Sequence, residues 1–172
     1  KIEEGEKIEP AYFLPIIPTV ILNGSSGIAV GFATNILNRN PKDVVNACIS
    51  VLKGKKMPVL APWLKEFSGT FTRDTVNPKT WKISGLYEVL NTTTVKITEI
   101  PPAFTYERYE EHLNNLIEKR IITGYDDNSS GQVEYVLKFQ RAVLKDYVSR
   151  NKLEALLKIN TQETENLTTI DE

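Results

Sequence analysis

The side chains able to do covalent chemistry are few, and badly spaced for it. His112 is the only histidine of 172 residues, and it stands among Glu107, Glu110, Glu111 and Glu118. A Ser-His-Asp relay needs its imidazole beside a serine nucleophile and an orienting carboxylate. The best serine context, Gly24-Ser25-Ser26-Gly27-Ile28, misses the G-x-S-x-G elbow, because Ile28 stands where the second glycine is required. Gly24, Gly27 and Gly31 fit neither the dinucleotide fingerprint nor a Walker loop, and no Lys-Ser/Thr follows them. Asp126-Asp127, ahead of Asn-Ser-Ser-Gly, reads as a solvated turn rather than a metal site, as do the pairs Glu3-Glu4 and Glu110-Glu111. A hydrolase built on His112 is therefore a poor reading, and His112 is expected on a helix surface. No catalytic, metal-binding or cofactor-binding residue is assigned.

What remains is a different chemistry. Asn23 to Asn35 reads NGSSGIAVGFATN: small turn formers, two hydroxyls, then a large apolar Ile28. Such a stretch either buries Ile28 in a core or pushes it into a partner. The net charge of −1 does not itself suggest a nucleic-acid binder. The distribution is more telling. Residues 39–96 hold ten Lys+Arg against four Asp+Glu, while residues 97–137 hold three against eight. A two-signed surface of this kind presents a basic face while staying near neutral, although an ordinary mixed surface has the same arithmetic.

The elements that must position these residues follow from local pattern. Pro10, Pro15 and Pro18 keep the opening segment extended. Thr19 to Leu22 and Ile28 to Phe32 are β-rich runs around a Gly-Ser turn, predicting a hairpin with Ile28 first after the turn. Asn40-Pro41 starts a helix whose stripe Val45, Cys48, Ile49 and Leu52 is expected to face a core, with Gly54 ending it. Lys53, Lys55 and Lys56 gather at its C-terminal end, where cations are favoured in any case. Pro58, Pro62 and Gly69 punctuate a loop. Strands are predicted at Thr70 to Arg73, Trp81 to Ser84, Thr93 to Ile100 and Gln132 to Phe139, each alternating apolar and polar. Thr105 caps a helix with Tyr106, Tyr109, Leu113, Leu116 and Ile117 on one face, expected to close at Gly124. One or two helices carry Leu144, Tyr147, Val148, Leu153, Leu156 and Leu157, the second capped by Ser149. The fold class is α+β, a mostly antiparallel sheet with three to four flanking helices. Its organisation is expected to be an extended segment and hairpin over 1–38, an α/β domain over 39–160 and an acidic polar tail over 161–172. No internal repeat is visible.

One cysteine, Cys48, rules out an intrachain disulfide and a cysteine zinc site, and fits a reducing compartment. The apolar stretches are too broken to span a membrane, and KIEEGEKIEP carries charge where a signal peptide needs an apolar core. A cytoplasmic piece of a longer protein is the expectation.

The segment Glu9 to Ile36, EPAYFLPIIPTVILNGSSGIAVGFATNI, resembles the core of the type IIA DNA topoisomerases: gyrase A, topoisomerase IV and eukaryotic topoisomerase II. The lead Glu9 to Pro18 is similar to the eukaryotic branch, and Asn23 to Ile36 to the bacterial one. Phe67-Ser-Gly-Thr70, Trp81 to Gly85, Thr92 to Pro101 and Val133 to Phe139 are also similar to topoisomerase II. Such a mixture resembles the phage-encoded cleavage subunits, which would place the chain in a host cytoplasm. The resemblance covers residues 9–160, strongly to 36.

The resemblance implies the junction between a winged-helix domain and a tower domain flanking the DNA gate. The isoleucine matching Ile28 inserts between base pairs and bends the gate duplex, an act whose unstacking cost is offset by extra phosphate contacts. Asn23, Ser25, Ser26 and the turn amides would bond phosphates, and Arg39, Lys42, Lys53, Lys55 and Lys56 would hold the flanking arm. The implied partners are double-stranded DNA, the ATPase and Mg²⁺-binding parts of the enzyme, and a second copy of the full-length subunit. Mg²⁺ and ATP would be bound by those other parts. The family's nucleophilic tyrosine has no counterpart here, since Tyr12, Tyr106 and Arg108-Tyr109 lack its motif. Leu37, where bacterial members carry proline, is a further departure. The alternative is a protein-interaction or scaffold module that keeps the fold without the DNA role.

Overall fold

The computed structural model describes residues 2–3, 6–7, 9–10 and 13–169. Glu4, Tyr12 and residues 170–172 of the expected tail lie outside them. The chain forms two compact units, Lys1–Pro62 with Leu167–Glu172, and Trp63–Asn166. The division falls at Pro62/Trp63, so the helix after Asn40 belongs with the hairpin rather than with the larger unit.

The first unit contains a minimal antiparallel pair, β1 (Ile2–Glu3) and β2 (Glu6–Lys7), then α1 (Thr19–Asn23), β3 (Ser25–Ala29), β4 (Phe32–Ile36) and α2 (Pro41–Leu52). The expected strand Thr19 to Leu22 is thus a helix. Its β-rich composition is overridden because β3 pairs with β4 and leaves it no strand partner. Instead the carbonyl of Pro18 accepts from the N–H groups of Ile21 and Leu22, both at 3.2 Å. The hairpin turn correspondingly moves from Gly24–Gly27 to the two residues Val30-Gly31, of which only Gly31 takes positive φ, at 80°.

Helix α2 starts as expected, with the Asn40 side chain accepting from Lys42 N at 2.9 Å. It ends in paired bonds from Gly54 N to Val51 O and from Lys55 N to Ser50 O, with Gly54 at φ 68°. The buried face is Val44 and Ala47, whereas Val45, Ile49 and Leu52 are exposed. The expected stripe was therefore one residue out of phase. The run DVVNACISVL satisfies the helical period from either Val44 or Val45, and periodicity alone does not choose.

The second unit holds β5 (Thr70–Arg73), β6 (Thr80–Ser84), β7 (Leu86–Val89), β8 (Thr94–Glu99), α3 (Tyr106–Glu118), β9 (Ile122–Asp127), β10 (Tyr135–Phe139), α4 (Arg141–Ser149), α5 (Leu153–Leu156) and β11 (Asn160–Thr164). Two antiparallel sheets result, ordered β7-β8-β10-β9 and β11-β6-β5. The α+β class with antiparallel sheets holds. Val95 and Ile97 of β8 meet Tyr135, Leu137 and Phe139 of β10, covered by Tyr109, Leu113 and Leu116 of α3 and by Leu144, Leu153 and Leu157. Each such side chain contributes about 1.5–3 kcal/mol by leaving water.

Three details depart from expectation. Helix α3 closes at Arg120, left-handed at φ 54°, while Gly124 and Asp126-Asp127 lie in strand β9. Ser149 caps nothing downstream, since its hydroxyl donates back to Asp146 O and Lys152 is the N-terminal flank of α5. Residues 160–164 form a strand on β6 rather than a fading tail.

Candidate nucleic-acid interface

The β3–β4 hairpin is buried at its root and bare at its tip. Ile36, paired with Ser25, is 7% exposed, whereas Ile28, Val30 and Phe32 are 93%, 100% and 71% exposed. Strand alternation puts Ile28, Ala33, Ser26 and Asn35 on one face, and Ala29, Phe32, Gly27 and Thr34 on the other. Ile28 is thus a strand residue two before Val30, the first residue of the turn, and not the first residue after one. Ser25 and Ser26 are exposed on β3, and Asn23 is exposed at the end of α1. The tip therefore presents apolar side chains on both faces, with hydroxyls nearer the root.

Two glycines differ in why they are glycine. Gly24 has φ 67°, and a Cβ there would lie 2.5 Å from both Asn38 Oδ1 and Ile36 O, so the joint between α1 and the hairpin admits no side chain. Gly27 has an ordinary backbone, and a Cβ would meet only Thr34 Cγ2 at 4.0 Å. Its bareness opens a groove of about 570 Å³ with Val20, Phe32, Thr34, Ile36 and Thr168.

The predicted bases separate into two kinds. Lys42, Lys53, Lys55 and Lys56 are exposed, and among the described residues no ion pair involves them. They sit at opposite ends of α2, about 18 Å apart by helical rise. In the second unit, by contrast, Lys82, Lys96, Lys138 and Arg150 pair with Glu154, Glu134, Asp126 and Asp146 at 2.7–3.5 Å. Arg39 is not an exposed base. It is 8% exposed, with Nε donating to Leu60 O at 2.8 Å and Nη1 to Leu37 O at 2.6 Å. Sequence reasoning took its charge for a phosphate contact because nothing local signals burial.

The remaining reactive side chains serve the fold. Tyr109 is fully buried and its hydroxyl donates to Leu157 O at 2.7 Å, with burial pushing the phenol pKa up. His112 is half-buried rather than on the surface. Its Nε2 bonds Leu156 O at 2.9 Å, which requires the proton on Nε2, and burial holds its pKa down. The Asp127 carboxylate accepts from Ser129 N at 2.9 Å; the Ser129 side chain and that N–H together lower its pKa. Among the described residues no group of three or more His, Cys, Asp or Glu could hold a metal ion, and no helix is long and apolar enough to cross a membrane.

The chain thus combines an α+β fold, an apolar-tipped hairpin and exposed lysines that form no ion pair among the described residues. The chain belongs to the family of the DNA gyrase/topoisomerase IV A subunits, whose model matches residues 1–172. It is 33% identical over 175 residues to DNA topoisomerase 2 of Plasmodium falciparum (isolate K1 / Thailand), covering 98% of this chain and 12% of that protein. It is 40% identical over 116 residues to DNA topoisomerase 2 of Arabidopsis thaliana, covering 66% of this chain and 8% of that protein. The chain thus spans roughly a tenth of these relatives' length. Its fold is similar to the crystal structure of the Plasmodium falciparum topoisomerase II DNA-binding, cleavage and re-ligation domain, with TM-score 0.81 and 31% identity over 95% of this chain and 23% of that one.

Proposed function

We propose that this chain is the gate-segment-holding part of an ATP-dependent type II DNA topoisomerase, and that Ile28 is its wedge. The full enzyme cleaves both strands of one duplex, passes another through and rejoins the first. Its nucleophile, its Mg²⁺-binding carboxylates and its ATPase lie on other parts or subunits, and the full-length subunit works as a homodimer. The mixed eukaryotic and bacterial character of residues 9–36 supports assignment to a T-even phage type of medium subunit, with this piece at the winged-helix and tower junction.

One observation carries the reading: an isoleucine 93% exposed beside a two-residue tip. A side chain of that size left in water gains its stabilisation only when a partner covers it, and a base-pair step is such a partner. Ser25, Ser26 and Asn23 lie toward the root, in reach of the flanking backbone, and Lys42, Lys53, Lys55 and Lys56 supply sequence-independent attraction to phosphate. Isolated from the rest of the enzyme, the piece binds DNA weakly and cleaves nothing. The test is Ile28→Ala in the full-length subunit, read by fluorescence transfer across an end-labelled duplex. Loss of bending with folding retained supports the wedge, and an unchanged bend refutes it.

The exposed α2 face of Val45, Ile49 and Leu52 favours a second reading, a protein-interaction module. DNA binding that is absent, or insensitive to salt, would select it.

A further inference from the structure

We infer that Arg39 is a positioning residue for the wedge: a guanidinium clamp that fixes the root of the hairpin, so that Ile28 is presented at a set angle. The inference rests on the wedge reading of Ile28 and adds a residue that acts through it.

The geometry is that of a hub. The Arg39 backbone N–H donates to Ile21 O in α1 at 3.1 Å. Its Nη1 donates to Leu37 O at 2.6 Å, one residue past the end of β4, and its Nε donates to Leu60 O at 2.8 Å. Arg39 also forms an isolated antiparallel bridge with Pro62, the last residue of this stretch before the second unit. Helix α1 and the 60–62 stretch, both remote in sequence, and the residue after β4 therefore meet at Arg39, α1 through its backbone N–H and Leu37 O and Leu60 O through its buried side chain. Only a planar guanidinium offers several N–H donors in fixed directions; an ammonium is a point charge on a flexible stem and does not reproduce the fork.

The tip has no packing of its own to orient it, because Ile28, Val30 and Phe32 are all exposed. Its direction is set at the root, where Ile36 and Arg39 are buried. Prying a step apart loads the hairpin as a lever, and unstacking costs a few kcal/mol. A root free to swing lets the tip tilt aside instead of separating the bases. Releasing Leu37 O and Leu60 O should therefore remove bending while leaving the α2 lysines, and hence affinity, in place.

The test uses the full-length subunit in its native assembly with Arg39→Lys, Arg39→Gln, Ile28→Ala and the Arg39→Gln/Ile28→Ala double variant. Bending amplitude at saturation and DNA affinity across a salt series are both read. Both Arg39 variants should lose more than about half of the bending amplitude, with affinity within about twofold of wild type and an unchanged salt slope. The double variant should bend no less than Ile28→Ala alone, because the two residues act in series. Wild-type bending in both Arg39 variants, with bending lost in Ile28→Ala, overturns the clamp alone. A salt slope reduced by about 0.9 returns Arg39 to the phosphate-contacting bases and also overturns it. If Ile28→Ala bends like wild type, the wedge reading falls and the clamp with it. Hydrogen exchange guards against general unfolding. Arg39→Lys should lose amide protection over residues 25–37 and 60–61 and keep it over 63–166, and unchanged protection at the hairpin overturns the clamp.

Discussion

Ile28 stands directly across from Ala33 in the β3–β4 ladder, so the largest side chain on that face has a single methyl as its cross-strand neighbour. Little apolar area is hidden by the pair, and folding has little to lose if the isoleucine is cut back. Ile28→Ala should therefore shift stability by no more than about 0.5 kcal/mol, as surface substitutions usually do. Across Ile28→Leu, Ile28→Val and Ile28→Ala, bending of the bound duplex should fall with side-chain size while the thermal midpoint stays level. A midpoint that drops in step with bending would mean the residue serves the fold.

The four exposed lysines of α2 and its flanks, in no ion pair among the described residues, predict a different signature. Each lysine that neutralises a phosphate releases condensed counterion and contributes roughly 0.9 to the slope of log affinity against log salt. Replacing Lys53, Lys55 and Lys56 together by alanine should lower that slope by up to about 2.7 without altering sequence preference. The same treatment of Lys96 and Lys138, already bound to Glu134 and Asp126 at 2.7 Å, should leave it unchanged. Equal slopes for both triple and double variants would remove α2 from the interface.

Where the sequence was legible, a single strong period was at work. Strands β8 and β10 bury alternate residues, as β6 does from Trp81 onward, because both flanks are hydrogen-bonded and one face is core. The strands that escaped notice in the second unit, β7, β9 and β11, are all sheet edges. An edge tolerates Gly124, Asp126 and Asp127 because one side needs no partner strand, and those residues erase the pattern. Of the residues expected to touch DNA, Ile28, Lys42, Lys53, Lys55 and Lys56 are exposed, as such a contact requires. The turn position was not legible, because Gly-Ser-Ser-Gly is stronger turn chemistry than Val-Gly and only strand pairing decides between them. Arg39 was illegible for the same reason: its partners, Leu37 O and Leu60 O, are backbone atoms that any residue type would offer.

Glu165 shows how far that limit reaches. It was expected in an acidic polar tail, yet it is 5% exposed and its Oε2 accepts from Trp81 Nε1 at 2.9 Å across 84 residues of sequence. Removing the acceptor leaves a buried indole N–H without this bond. Glu165→Ala should cost about 1–3 kcal/mol, and Glu165→Gln, which keeps an oxygen there, less than about 1 kcal/mol. Chemical denaturation followed by tryptophan fluorescence reads both. Equal losses for the two variants would show that the bond is incidental to whatever Glu165 does.

His112 makes the stability of the second unit depend on pH, and the sign follows from its surroundings. Burial is the main reason its pKa lies below the ordinary 6.5; Lys158 and Lys119 push the same way, and the bond to Leu156 O opposes them. The folded chain therefore holds the ring neutral, with its proton on Nε2 facing that carbonyl, while the unfolded chain binds a second proton as soon as pH falls below about 6.5. The contribution of His112 is fully present above that value. It is lost as pH falls through it toward the depressed folded pKa, and it levels off below. Comparing wild type with His112→Gln, whose amide still reaches the Leu156 carbonyl, isolates the effect from all other titrations. Between about pH 7 and pH 5.5 the wild type should lose thermal stability faster than the variant. Parallel curves, or a wild type that gains relative stability on acidification, would mean the imidazole is solvated and the α3–α5 contact it makes is not a buried one.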